Sequence, residues 1–372
     1  MKKEFNIDNS KFVYTKNELA YQDVIDEMQT ASKIVIVTYN ISRNHQYLLN
    51  CLKKTSNECE IVIVSNMPQR WESYRDEEQR KNAQKQIRLY LNRLKPEEIG
   101  ARVGVFFDFH NHGKIIMTDK VVYIGSANYS ESSSDNAEFG IISRDTNFIS
   151  FLLEKLIPDI TEKAEAYYEY DFFPLLLESK MAISAFYKLI NEFHDQAYRL
   201  HDDIDGKWYI YNSYEDVYSQ ETCRDIIRLL RSMHAISTDI YNALTTITKD
   251  DEDVTSNAAD ISDNIWSIAR DIENLLTSSE LWALTSYDIN ESANSMLQNE
   301  YASEAYEEKL EHYVKKALEK ATGEFFDIAE SAEETIKSIF KNLKEFKNEY
   351  IKIHSLLRNY NLRSINPKID NT

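Results

Sequence analysis

Short continuous apolar runs alternate with amphipathic stretches over the first 170 residues or so. KIVIVTYN (33–40) and CEIVIVSN (59–66) are β-branched and apolar at successive positions, the pattern of strands covered on both faces in a parallel sheet. ARVGVFF (101–107) predicts a third strand. GKIIMT and VVYIG, split by Asp119-Lys120, predict a β-hairpin, and AEFGIIS (137–143) a further strand. Helical periodicity falls near 17–31, 42–56, 70–96 and 146–168. Strands and helices interleaved in this way predict a layered α/β domain over residues 1–170.

Beyond it the period changes. Residues 171–220 are a connecting region, flanked and filled by aromatic stretches such as YYEYDFF and KWYIYNSY, which suit interdomain packing. From 221 onward apolar residues recur at alternating spacings of three and four. One seam runs Ile226, Leu229, Met233, Ile236, Ile240, Ala243, Ile247; a second runs Val254, Ala258, Ile261, Ile265, Ile268, Ile272, Leu275. A third joins Ala329, Ala332, Ile336, Ile339, Leu343, Phe346, Tyr350, Ile353 and Leu357. The polar run KDDEDV between the first two predicts a turn and an antiparallel helix pair. Residues 221–372 therefore read as an all-α bundle of long helices with coiled-coil character.

Charge sharpens this division. Residues 1–150 hold 20 Lys+Arg against 20 Asp+Glu, so the remaining 23 and 42 place the whole net charge of -19 in residues 151–372. An acidic surface repels nucleic acid and anionic membrane, so a phosphate-bearing substrate belongs to the neutral front part. The 42% hydrophobic content supports a packed core, and the 7 glycines and 5 prolines are few for 372 residues, as long helices require. Cys51, Cys59 and Cys223 have neither the number nor the spacing of a disulfide framework or a structural zinc site. MKKEFNIDNS lacks the apolar run of a secretory leader, and no stretch approaches the ~18 apolar residues that span a bilayer. The expected setting is the cytoplasm, without a membrane.

Candidate chemistry gathers around the hairpin. His112 and Lys114 stand two apart, Asp119 follows in the turn, and Gly125-Ser126-Ala127-Asn128 ends the second strand. If paired positions sum to 240, residue 112 faces 128 and 114 faces 126, so His112, Lys114, Ser126 and Asn128 share a side of the sheet. Lysine supplies a point charge for a phosphate oxygen, and serine and asparagine supply neutral donors. Neutral imidazole is abundant near pH 7 and is a nucleophile toward phosphorus. Glu138 is the carboxylate expected on the other ring nitrogen, fixing the tautomer. The set predicts phosphoryl transfer through a covalent intermediate, with no metal or other cofactor.

The spacing His-x-Lys-x4-Asp, followed by Gly-Ser-x-Asn, resembles the signature of the phospholipase D superfamily, here His112, Lys114, Asp119 and Gly125, Ser126, Asn128. The resemblance covers about residues 1–170 and extends to Glu138. It implies two such motifs per active site, one histidine attacking phosphorus and the other protonating the leaving oxygen before activating water. None of His45, His194, His201, His234, His312 and His354 is followed by x-Lys. The resemblance therefore implies a homodimer that joins two half-sites, as in the single-motif bacterial nucleases of the superfamily. It implies a phosphodiesterase, an endonuclease on DNA first of all, with His112, Lys114, Asn128, Glu138, Ser126 and Asp119 at the site. Asp119, in the turn, suits shaping the hairpin better than touching substrate. A phospholipid hydrolase or transferase uses the same chemistry, and a non-enzymatic helical assembly protein with a vestigial site is the alternative from another class.

Neighbouring residues bear several readings. His110 lines the same groove or is a surface histidine. The letters His-Asn-His at 110–112 are too close together for an HNH nuclease, whose residues are spread over a ββα unit. Asp108, His110 and Asp119 have metal-ligand chemistry, but Lys114 beside them repels a cation. HDDIDGKWYIYN (201–212) has an EF-hand-like glycine yet lacks oxygen ligands at its first and last positions, and reads as a polar turn. Lys81, Lys85 and Arg88 share a helical face, either as a surface for the nucleic-acid backbone or as a solvated face. Trp71 and Tyr74 nearby suit base stacking or packing. The acidic helices suit a companion protein, self-assembly or control of the site, as in a regulated effector of defence against phage.

Overall fold

The computed structural model describes residues 2–7, 9–41, 47–67, 71–167, 172–203, 206–212, 219–248, 252–301 and 309–365. The chain divides into two compact units. One comprises residues 1–69 and 82–177, the other residues 70–81 and 178–372.

The first unit is built on a mixed sheet. Its elements are β1 (Lys2–Ile7), β2 (Ser10–Lys16), α1 (Gln22–Glu27), β3 (Lys33–Thr38), α2 (Tyr47–Lys53), β4 (Glu60–Ser65), α3 (Glu77–Arg93), α4 (Pro96–Ile99), β5 (Val103–Phe107), β6 (Ile115–Thr118), β7 (Val122–Gly125), β8 (Ala137–Ser143), α5 (Thr146–Phe151), α6 (Ile157–Lys163) and β9 (Glu165–Ala166). Helix α3 begins in the second unit and continues into the first. The nine strands lie in the order β1-β2-β8-β7-β6-β3-β4-β5-β9. Strands β3, β4 and β5 are parallel; β6, β7, β8, β2 and β1 run antiparallel to their neighbours.

Both faces of the centre are covered, which accounts for the unbroken apolar runs of β3 and β4. Val35, Val37, Val64, Ile115, Met117 and Val122 pack against Ile149, Leu152 and Ile157 of the α5–α6 segment. The alternate residues Ile34, Ile36, Ile61, Ile63 and Ile116 are buried on the opposite face. In β8 the alternation is strict: Glu138, Gly140 and Ile142 are buried, while Phe139 and Ile141 are exposed. Strands β1 and β2 lie outside the predicted elements; β2 carries three successive apolar residues, Phe12, Val13 and Tyr14, of which Val13 is buried and Phe12 exposed.

The hairpin register differs from the expected one. Ile115 pairs with Ile124, Ile116 with Tyr123 and Met117 with Val122, so paired positions sum to 239 rather than 240. The turn decides this. The Thr118 N–H donates to Val121 O (2.8 Å), and Thr118 Oγ1 accepts the N–H groups of Lys120 (3.1 Å) and Val121 (3.2 Å), closing a loop over Asp119-Lys120. Strand β6 also begins at Ile115, so His112, Gly113 and Lys114 precede it rather than lie within it.

The second unit contains α7 (Phe173–Ala197), which starts in the first unit, β10 (Tyr198–Asp203), β11 (Gly206–Tyr211), α8 (Gln220–Ile247), α9 (Glu252–Leu276), α10 (Ser279–Ser286), α11 (Ile289–Asn299) and the 56-residue α12 (Leu310–Ile365). The sequence set aside as a connecting region thus forms a helix and a hairpin, with Tyr198 paired to Tyr211 and Asp203 to Gly206. The side chains at 202–208, where the EF-hand-like spacing falls, and residues 249–251 of the expected helix-pair turn lie outside the described residues. On α12 every residue of the expected seam from Ala329 to Leu357 is buried. On α9 the buried stripe takes Ser262, Ala269 and Leu276 with Ala258, Ile261, Ile265 and Ile272, while Ile268 and Leu275 sit at its margin. Arg231 pairs with Glu273 and His234 packs on Trp266 at 4.8 Å, so α8 and α9 run antiparallel. Phe186 and Phe193 of α7 stack on Phe346 and Phe340 of α12 at 5.8 and 5.2 Å.

Residues 70–81 join this unit through buried polar contacts. Arg80 Nε donates to Glu178 at 2.7 Å, its other nitrogen pairs with Asp239, and Glu178 is 2% exposed. The Ser232 hydroxyl donates to Tyr74 O at 2.5 Å.

Candidate active site

The C-terminal ends of β3, β4 and β7 and the N-terminal ends of β6 and β8 meet at one edge of the sheet. At β3 the sheet changes from parallel to antiparallel pairing, a break where open α/β sheets leave room for ligands. The residues that carry chemistry collect there.

The loop 108–114 is held by amides. Asn66, just past β4, donates to Asn111 O (2.8 Å) and Phe109 O (3.3 Å). Asn111 Nδ2 donates to Thr38 O (3.0 Å), and its side-chain Oδ1 accepts the Gly113 N–H (2.9 Å). This delivers His112, exposed, and Lys114, half-buried, to the end of β3. Lys114 Nζ donates to His112 O at 2.7 Å and lies 3.4 Å from His112 Nδ1. An ammonium can only donate, so in this arrangement Nδ1 offers its lone pair and a neutral ring carries its proton on Nε2. Burial lowers the Lys114 pKa from its ordinary value, and the Glu138 charge pulls it part of the way back.

The segment 125–130 is locked from below. Ser126 N–H donates to Phe139 O at 2.9 Å, and Ala127 N–H donates to the Tyr123 hydroxyl at 3.1 Å. The Tyr123 ring fills the space left by two glycines. A Cβ at Gly125 would stand 2.3 Å from the Tyr123 hydroxyl and 2.4 Å from Phe139 O; one at Gly140 would stand 2.4 Å from the same ring. Burial pushes the Tyr123 hydroxyl up to about 12, so it stays a neutral acceptor for Ala127. Asn128 Oδ1 accepts the Tyr39 N–H at 3.2 Å and faces the Thr38 hydroxyl at 3.4 Å. A backbone donor settles which amide atom is the oxygen, so the Asn128 NH2 is presented on the other side.

Ser126 donates to the Glu138 carboxylate, which is 6% exposed. The expected contact between Glu138 and His112 is absent: among the described residues no hydrogen bond joins them. Strand β8 turns Glu138 inward beside Tyr123 and Ser126, and its electrostatic influence falls on Lys114. The expected shared strand face is likewise replaced. Thr38, Tyr39, Asn66 and Asn111 bring His112, Lys114 and Asn128 together at the sheet edge, a task the hairpin register does not perform. In chemical terms the cluster offers an imidazole, an ammonium and a fixed amide, enough to bind and accept a phosphoryl group.

Residues 24–159 match the family model described as cardiolipin synthase, PLD-like domain. Residues 24–159 are a phospholipase D-like domain. Solved structures similar to the chain include the phospholipase D family member Nuc from Salmonella typhimurium, 14% identical over 42% of this chain and 97% of that one, with a TM-score of 0.30. NucT from Helicobacter pylori is 18% identical over 42% of this chain and 99% of that one, also with a TM-score of 0.30. TrmBL2, an archaeal chromatin protein, is 13% identical over 44% of this chain and 54% of that one, with a TM-score of 0.28. None of the curated proteins matches the chain.

Within the phospholipase D-like domain, Asp119 stands at the far end of β6 from His112. Its carboxylate accepts from the Ser32 hydroxyl (2.6 Å) and N–H (3.3 Å), and its own N–H donates to Lys33 O. It anchors the turn, at the opposite end of β6 from the cluster, in the hairpin-shaping place rather than beside the residues that would meet substrate. His110 is exposed, its N–H donating to Asp108 (3.0 Å). Among the described residues no group of three His, Cys, Asp or Glu side chains has metal-binding geometry, so Asp108, His110 and Asp119 do not form a ligand set. Lys81, Lys85 and Arg88 are exposed on α3, and Lys81 pairs with Glu77 at 2.6 Å. No hydrogen bond or ion pair among the described residues links these three to His112, Lys114 or Asn128. Tyr74 is fully buried, which assigns it to packing; the side chain of Trp71 lies outside the described residues.

Sequence reasoning missed Tyr39, Thr38, Asn66, Asn111, Tyr123 and Gly140. The available signal was positional: Tyr39-Asn40 and Asn66 end two strands read as parallel, the edge where such sheets place their ligands.

Proposed function

We propose that the chain is a metal-independent phosphodiesterase that cleaves nucleic acid, DNA first of all, through a phosphohistidine on His112. The observation that carries this is the cluster itself, with one exposed imidazole beside one ammonium and one oriented amide. Lys114 and Asn128 hold the phosphate, with Ser126 and Glu138 setting the charge around Lys114. His112 attacks phosphorus, and the leaving oxygen takes a proton from a second imidazole. The sequence supplies one His-x-Lys motif, so the second imidazole is His112 of another copy, across a two-fold axis. The charge balance over residues 1–150 does not oppose such pairing. His110 and the α3 face of Lys81, Lys85 and Arg88 serve the nucleic-acid backbone.

The acidic helical unit controls the site or receives a companion protein. A nuclease free in the cytoplasm endangers its own cell, and an attached regulatory unit suits an effector of defence against phage.

A second reading has its own support. The matching family model is named for a lipid enzyme, and the same histidine chemistry serves phospholipids. Among the described residues no helix is long and apolar enough to cross a membrane, so lipid would be met at a surface. One experiment separates the readings: purified protein in excess chelator with labelled single- and double-stranded DNA, RNA and phospholipid vesicles. The proposal expects cleavage of DNA above the other substrates. Hydrolysis confined to vesicles replaces it with the lipid reading, and activity that vanishes with chelation removes the histidine mechanism.

A further inference from the structure

Among the described residues no carboxylate is hydrogen-bonded to the His112 imidazole to aim it. Among the described residues its side-chain neighbours are Lys114 and Tyr39. The Tyr39 ring lies 4.9 Å from the imidazole, centroid to centroid, tilted by 55°. The Lys114 ammonium stands 5.7 Å from the centre of the same ring. Tyr39 is itself fixed from two directions: it follows β3 directly, and its N–H donates to Asn128 Oδ1 at 3.2 Å. One residue thus touches all three members of the cluster, two through its ring and one through its backbone.

We propose that Tyr39 is the positioning residue of this site: its ring sets the attack direction of His112 and holds the Lys114 ammonium beside it. The inference rests on the phosphodiesterase reading for its kinetic consequence, though not for its geometry. A tilted aromatic contact limits the swing of the imidazole without itself taking either ring nitrogen. The electron-rich face attracts the ammonium without a hydrogen bond that phosphate would have to break. An anionic partner such as Glu would neutralise Lys114 and compete with the phosphate; an aromatic ring does neither. The role belongs to the ring and not to the hydroxyl, since no described hydrogen bond of Tyr39 uses its hydroxyl.

The test compares Tyr39→Leu with Tyr39→Phe in the full chain. Both keep the backbone donor to Asn128, and residue 39 is half-exposed, so the fold tolerates both. Tyr39→Leu should lower kcat on the order of 10- to 100-fold with a smaller change in KM, as misdirection of a nucleophile does. Tyr39→Phe should recover most of that loss. A second arm needs no turnover: the carbon-13 and proton resonances of the His112 ring in isotope-labelled protein, with His110 as internal control. They should move in Tyr39→Leu and stay near the parental position in Tyr39→Phe, while His110 stays put in both. Unmoved His112 resonances in Tyr39→Leu overturn the positioning role whatever the substrate. A parental protein inactive on every phosphodiester, but with His112 resonances that follow the ring, overturns the enzymatic reading and leaves the geometry standing.

Discussion

The two units treat polar side chains in opposite ways. In the phospholipase D-like unit His112, Lys114 and Asn128 stand half or fully exposed at a sheet edge, and it is their supports, Asn66, Tyr123 and Glu138, that lie deeper. In the helical unit Glu178 is buried and paired with the half-buried Arg80, which also reaches the half-exposed Asp239. Both arrangements satisfy the demand that buried polar groups find partners. They differ in what is left over. The sheet edge ends with an exposed imidazole and, among the described residues, an Asn128 NH2 that no hydrogen bond takes up; the helical unit ends with Arg80 shared between Glu178 and Asp239. Polar residues in the first should matter for rate, and those in the second for stability.

The largest effect should come from the sheet edge. His112→Ala is expected to lower turnover on the order of 10⁴-fold or more, because the proposed nucleophile is lost, with the circular dichroism spectrum and sedimentation unchanged. Residual cleavage at the parental rate would break the comparison from the catalytic side.

Next comes the helical unit. Arg80→Ala leaves Glu178 buried without its cation, and a loss of about 3–5 kcal/mol in chemical denaturation is expected. The comparison predicts that catalysis by the folded variant stays close to parental. A fall in kcat without a fall in stability would show that Arg80 acts on the site.

Gly125→Ala tests the foundation of the site. Its Cβ would meet Phe139 O at 2.4 Å, backbone that cannot turn aside, so a loss of about 1–3 kcal/mol is expected by thermal or chemical unfolding. Unaltered stability would mean that the Tyr123 packing is looser than described.

The smallest effect is one of pH. In the proposed mechanism Lys114 must be protonated to hold phosphate, and burial lowers its pKa while the Glu138 charge raises it. Removing that charge leaves burial unopposed. Glu138→Gln should therefore move the alkaline limb of the kcat/KM profile to lower pH. A limb that moves upward or stays fixed would remove Glu138 from the charge balance of Lys114.

What the sequence revealed also divides by unit. The α12 seam was legible residue by residue, because a long helix buried along one side repeats a single local rule. Strands β3 and β4 were legible because both their faces are covered. The His-x-Lys and Gly-Ser-x-Asn motifs located the site, but the assumed register did not assemble it. The Thr118 hydroxyl, bonding two N–H groups in the turn, shifted the pairing by one position. The contacts that do the assembling, Asn111 to Thr38 and Tyr39 to Asn128, join residues 73 and 89 positions apart, and no local pattern reports a bond of that kind. Glu138 was found by its position after the motif, while its partner was misassigned, since strand alternation gives the side of the sheet and not the neighbour.

The central claim is that His112 is the nucleophile of a half-site completed by a second copy, and its most direct measurement is the stoichiometry of a trapped adduct. Protein mixed with a cleavable substrate in excess chelator, stopped rapidly at alkaline pH and mapped by mass spectrometry, should carry an acid-labile phosphoryl group on His112. Since one of two histidines attacks while the other donates the proton, the adduct should saturate at about one per two chains. Turnover with no adduct at His112, or one adduct per chain in a protein that sediments as a monomer, would contradict the account.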